Sequence, residues 1–266
     1  MSKLWTARNG GMAAFAVLAL LISASDLSAQ FQAPGSLGAL APANIAKPRP
    51  KPPFDLTGAW IHCCESERFD PPEGFKLTPE AQKHYDAAQK ATKEGKIYRN
   101  DIGLCWPAGV PIMMTRVWPI AMIQLPTAVF MIQELMNSMR TVYLDGRPHT
   151  DPDIAVRSFN GESIGRWEGD ALVIDTTNFV DEHHWIHDRL GIPASDALHV
   201  VERIRMTNGG KRLEIEYTLT DPKVFVGDWK FVKHWDRVDD RDIAEVECLP
   251  DLNEHMPTVH SSDNVR

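Results

Sequence analysis

Apolar and polar residues alternate, turn after turn, through most of the second half of this chain, and a period of two belongs to half-buried β-strands. The clearest stretch is SIGRWEGDALVIDTTNF, from Ser163 to Phe179. Gly169-Asp170 divides it into two strand-like runs, because Gly supplies the positive φ that a two-residue turn needs. The same logic repeats in ALHVVERIRM, TNGGK and RLEIEYTLTD, with Asn208-Gly209-Gly210 as the turn. Successive hairpins without a long helical pattern between them imply a sheet that curls and closes. The expected class is all-β: a lipocalin-like antiparallel up-and-down barrel with one peripheral helix. Such barrels fill their interior or hollow it to hold a small ligand.

The ends of the chain read differently. Lys3 and Arg8 precede the apolar run Met12–Ala24, which is too short to span a bilayer comfortably, and Leu27-Ser28-Ala29 offers small residues before Gln30. Residues 1–29 therefore read as a cleaved signal peptide, with a periplasmic or secreted mature protein and no membrane span in it. Residues 30–53 form a linker with four prolines between Lys47 and Pro53. The β-barrel domain is expected over 54–250, and 251–266 is a polar, flexible tail. The formal charge of −8 and the lack of a basic run exclude nucleic acid as the expected partner. In an oxidising compartment Cys105 and Cys248 are expected to pair, stapling the chain end to an early loop, whereas a bond between adjacent Cys63 and Cys64 is strained.

Gly58-Ala59-Trp60 opens the domain as a Gly-x-Trp strand, the device by which lipocalin-like barrels close their base under a tryptophan. Thr78-Pro79-Glu80 signals a helix start, and the helix stops at Gly95. Pro119 and Pro126 break the next apolar region into strands at 120–124, 129–135 and 139–144. Met113, Met114, Met122, Met131, Met136 and Met139 concentrate there, either as ordinary core or as an adaptable ligand wall.

Chemistry enters where polar groups fall on apolar faces. Glu202 shares a strand face with Leu198, Val200, Ile204 and Met206. It is either an acid–base group with a raised pKa or one half of an ion pair with an interior Arg140 or Arg166. Asp175 is a further candidate, or a turn cap beside Thr176 and Thr177. His149 and His184 lie in loops placed to close over one barrel mouth. Histidine suits acid–base work there because its charge changes near neutral pH. Arg140 and Arg166 offer planar donors for a ligand carboxylate, and Trp167 and Trp185 offer stacking faces for an aromatic ring. His183, His184 and His187 have helical metal-ligand spacing but neither HExxH order nor a third ligand, so no metal is expected. GxSxG, P-loop and GxGxxG motifs are absent in a strand–helix context, so no nucleotide cofactor is expected.

DLTGAW, YLDGRPH, SIGRWEGDALVIDTT and SDALHVVERIRM together resemble a large family of exported bacterial proteins, over nearly the whole mature domain. Within that resemblance the chain is similar to cofactor-independent lyases of lignin-derived dimers. These open a phenylcoumaran to a stilbene with loss of carbon dioxide or formaldehyde. The resemblance implies a small aromatic substrate and no cofactor. Two other functions fit the same residues: a non-catalytic periplasmic binding protein for apolar ligands, and a metal-dependent hydrolase built on the 183–187 histidines.

Overall fold

Residues 36–64, 69–252 and 255–259 are described by the computed structural model. The expected signal segment and its cleavage point lie outside them. In chain order come α1 (Pro42–Ile45), β1 (Gly58–Cys63), α2 (Pro79–Lys93), β2 (Ile97–Tyr98), β3 (Ile120–Gln124), β4 (Ala128–Gln133), β5 (Met139–Tyr143), β6 (Glu162–Glu168), β7 (Ala171–Thr177), β8 (Trp185–His187), β9 (Ile192–Pro193), β10 (His199–Thr207), β11 (Arg212–Thr220), β12 (Trp229–Val238) and β13 (Thr258–Val259). The Gly169-Asp170 and Asn208–Gly210 turns sit where the alternation put them, and Gly169, Gly209 and Gly210 all have positive φ. Thr78 caps α2 by accepting a bond from the Ala81 N–H at 3.4 Å. α2 packs through Ala81, Ala88 and Ala91, small residues that let it approach closely, against β2, β9 and the 188–190 turn beside the barrel.

Nine strands close into one barrel in the order β1-β12-β11-β10-β7-β6-β5-β4-β3. Directions that alternate around a ring need an even number of strands. With nine, one neighbouring pair has to run parallel. That pair is β5–β6, where Val142 lies opposite Ser163 and Tyr143 opposite Ile164. The expectation of an all-antiparallel up-and-down barrel is corrected here: the barrel is mixed, and its other junctions are antiparallel. Parallel neighbours need a connection that returns along the sheet. Residues 144–161 make that return and carry His149 with them.

The lumen is filled along β7, β10 and β11. Leu172, Ile174 and Thr176 of β7, Val200, Glu202 and Ile204 of β10, and Leu213, Ile215 and Leu219 of β11 face inward at 0 % exposure, so no water-sized space adjoins them. Each buried Leu, Ile or Val contributes roughly 1.5–3 kcal/mol of transfer free energy. Met113, Met114, Met122 and Met131 are core as well, whereas Met139 is exposed.

Trp60 closes the base. Its Nε1 donates to Leu56 O at 2.8 Å, and the Arg237 guanidinium lies 4.4 Å from its ring centre. Gly58, at φ +149°, leaves room for that guanidinium, because a Cβ there would meet Arg237 Nη1 at 2.7 Å. The other end, the mouth, is plugged by Val110, Ile112, Met113 and Met114, all buried.

The proline-rich segment is docked rather than free along 36–57. Thr127 Oγ1 donates to Ala39 O at 2.7 Å, and buried Asn44 Nδ2 donates to Asp145 Oδ2 at 3.1 Å. The chain end is also tied back. Cys105 and Cys248 form the expected disulfide, and β13 pairs with β2. Cys63 and Cys64 are bonded to each other, the pairing that adjacency disfavours. Among the described residues no helix is long and apolar enough to cross a membrane.

Candidate functional site

The parallel junction gathers polar groups on both faces of the barrel wall. Alternation makes this possible: on β6, Glu162 points out and Ser163 in, and on β7, Asp175 points out and Thr176 in.

On the inner face, Arg140 of β5 reaches across the lumen to Glu202 of β10. Arg140 Nη1 donates to Glu202 Oε1 at 3.0 Å, and Nη2 donates to Oε2. The guanidinium also donates from Nε to Ser163 Oγ and from Nη2 to Thr176 Oγ1, each at 3.0 Å. Glu202 is thus the carboxylate of a buried ion pair with Arg140. Arg166 faces outward, 59 % exposed, and donates to Glu168 Oε1 at 2.6 Å. Tyr217 lies opposite Glu202 on β11 with its hydroxyl buried. Burial, then the neighbouring Glu202 charge, pushes its pKa well above the usual phenol value.

On the outer face, the crossover delivers His149 between two carboxylates. Its Nε2 lies 3.0 Å from Asp175 Oδ1, and its Nδ1 lies 3.2 Å from both Glu162 Oε2 and Thr177 Oγ1. Two acceptors aimed at the two ring nitrogens suit an imidazolium, which donates from both. The hydrogen bonds to Asp175 and then Glu162 raise its pKa to about 9, outweighing partial burial. Glu162 takes further bonds from Thr150 N and Thr150 Oγ1, both at 2.7 Å, and from Asn178 Nδ2 at 3.1 Å. Against partial burial, which pulls the other way, the bonds from His149 and Thr150 bring Glu162 down to about 2. Asp175 is held well below the usual carboxylate range by His149 and His199. His199 of β10 joins the same carboxylate, its Nε2 at 2.9 Å from Asp175 Oδ1.

The remaining sequence candidates stand elsewhere. His184 is buried at the mouth, Nε2 at 2.9 Å from Val110 O and Nδ1 at 3.2 Å from Val180 O. Burial lowers its pKa to about 4, and a neutral ring has one N–H, which the shorter contact to Val110 takes. Trp185 is buried nearby and donates from Nε1 to Asp101 Oδ2 at 2.7 Å. Both pin the mouth plug. Trp167 is at the base, edge-on to Phe54 at 4.9 Å. His183 stacks on Trp106 at 3.9 Å and faces Asp101 Oδ1 at 3.1 Å. Of the expected catalytic set, the fold therefore joins His149 to Asp175 and seals Glu202 behind them with Arg140.

Glu162 and His199 were not picked out by the sequence reading. Glu162 stands at the head of a strand, where a carboxylate looks like an ordinary solvated residue. His199 carried a usable signal: it lies on the outward face of LHVVERIRM, in register with the residues just past Asp175.

No protein-family profile matches this chain, and no curated protein matches it either.

Two outcomes follow from the paired faces. Glu202→Gln leaves the Arg140 charge buried and uncompensated, so denaturant unfolding should show a loss of about 3–5 kcal/mol. An Arg140→Met/Glu202→Leu double variant should recover much of it; a near-zero loss in the single variant contradicts the buried pair. The second outcome is a pH dependence. A pKa raised from 6.5 to about 9 gives stability that is complete below 6.5 and lost as pH rises through 9. The melting temperature should fall from pH 7 to pH 10, and fall less in His149→Gln. Equal slopes contradict the charged His149.

Proposed function

We propose that this protein is an exported, cofactor-independent lyase of small aromatic compounds, with His149 as the general acid of an outward-facing His149–Asp175–His199 group. The observation that carries the reading is the imidazole held between Asp175 and Glu162 with its pKa near 9. That value lies close to the pKa of a phenol, about 10, so proton transfer to a departing aryl ether oxygen is nearly balanced.

His199 complements it. In its neutral form Nε2–H donates to Asp175, which fixes the tautomer and leaves Nδ1 as a proton acceptor. In the opening of a carboxylated phenylcoumaran, His199 Nδ1 takes the phenolic proton of the substrate. The benzylic C–O bond then breaks, giving a quinone methide, and the departing aryl oxygen displaces Glu162 from His149 Nδ1–H, the longer of its two carboxylate contacts, and takes that proton. Loss of carbon dioxide leaves its C–C electron pair to re-form the aromatic ring and the stilbene double bond. Electrons balance within the substrate, so no external acceptor is needed. Asp175 holds both imidazoles in place by accepting from each Nε2, and Glu202 takes no part because Arg140 and the strand wall enclose it.

A second reading is a lipocalin-like binding protein for apolar ligands. It is favoured by the closure of the base, where Trp60 of the Gly-x-Trp strand lies under Arg237. With the lumen filled around Glu202, its ligand sits outside the barrel centre.

Incubation with carboxylated and hydroxymethyl phenylcoumarans, followed by stilbene absorbance and mass spectrometry, separates the two. The lyase reading expects a stilbene and at least about a hundredfold lower turnover in His149→Gln, the lower part of the range for a lost acid–base group. No stilbene from any dimer, or full turnover in folded His149→Gln, overturns it.

A further inference from the structure

At the opposite end of β6 from His149, the docked proline-rich segment arches over the barrel base and encloses a groove of about 1010 Å³. Its floor is apolar and aromatic: Phe54, Leu125, Leu144 and Trp167, with Gly165 between them. Gly165 lets the floor close, since a Cβ there would meet Leu144 Cδ2 at 2.6 Å. The arch is fixed at both ends. Asn44 is bonded to Gly38 O and Asp145, and Gln124 grips the other end by accepting from Leu56 N at 3.0 Å and donating to Phe54 O at 3.2 Å.

The rim is positive on a chain whose net charge is −8. Lys47, Arg49, Lys51 and Arg166 line the groove against only two carboxylates, Asp55 and Asp145. Asp145 is engaged by Arg147, and Arg166 by Glu168. Arg49 donates to Asn44 O at 2.7 Å, Asn44 Oδ1 at 2.8 Å and Lys47 O at 3.2 Å, all uncharged acceptors, and makes no ion pair among the described residues. Lys47 and Lys51 make no ion pair among the described residues. An apolar floor in which Phe54 and Trp167 meet edge to face, under unmatched cations, is complementary to a ring that bears an anionic group.

We infer that this groove is a binding site for small aromatic carboxylates, seated on Trp167 and Phe54 with the carboxylate towards Lys47 and Lys51. The site is separate from the His149 group and stands whether or not that group is catalytic. Its ligand is a molecule with one or two rings and a carboxylate, a chemistry shared by substrates and products of aromatic breakdown.

The test uses trans-cinnamate, with cinnamyl alcohol as its uncharged counterpart, and the mature protein followed by NMR. The Trp167 indole N–H signal is assigned by its disappearance in Trp167→Phe. Cinnamate should move that signal in a saturable way, and the alcohol should bind several-fold more weakly. Lys47→Ala/Lys51→Ala removes only exposed side chains and should weaken cinnamate about fivefold, the sum of two exposed charge contacts. An indole signal that cinnamate leaves unmoved overturns the site. Equal affinity for the alcohol, or for the double-lysine variant, overturns the anionic ligand class. Neither probe is turned over by the proposed lyase chemistry, so a failure here is distinct from a failure of the acid–base reading.

Discussion

An odd number of strands cannot close a ring of alternating directions, and the consequences of that constraint run through this protein. One junction must be parallel, and its connection must travel back along the wall. β5 and β6 form the junction, and residues 144–161 form the return. The return lays His149 over the outward faces of β6 and β7. The same junction brings Arg140 of β5 beside Ser163 of β6 on the inside. Polar groups on the two faces are therefore products of one topological requirement.

The two faces differ in what they can do. Inside, a guanidinium and a carboxylate satisfy each other with two hydroxyls, and the cost of burying both charges is offset only while every bond is made. That is a wall element, selective for one strand register, because a slip by one residue would turn Glu202 outward. Outside, His149 and His199 share one carboxylate at partial exposure, within reach of a solute. The two imidazoles meet at one Asp175 oxygen, His149 with its pKa raised to about 9.

Much of this was legible in the sequence where a local rule was strong. The turns at Gly169 and Asn208, the Thr78 cap and the strand breaks at Pro119 and Pro126 each depend on backbone chemistry that tertiary contacts did not override. The inward side of Glu202 followed from alternation alone. Parity was not legible, because the strand count of a closed sheet belongs to the whole ring and to no single segment. The pairing of His149 with Asp175 and Glu162 follows from the crossover, so it too was hidden. His184 and Trp185 looked like mouth groups and are at the mouth, but burial makes them pins for the plug. The proline-rich segment lacked any periodic pattern, and its docking rests on single contacts from Asn44 and Thr127 that no pattern announces.

The account depends most on the protonation state of one imidazole. A titration of the His149 ring by NMR, assigned through His149→Gln, reads it directly. The account predicts a midpoint near pH 9 that drops towards the ordinary histidine value in Asp175→Asn. A midpoint at or below 6.5 in the native protein would contradict it.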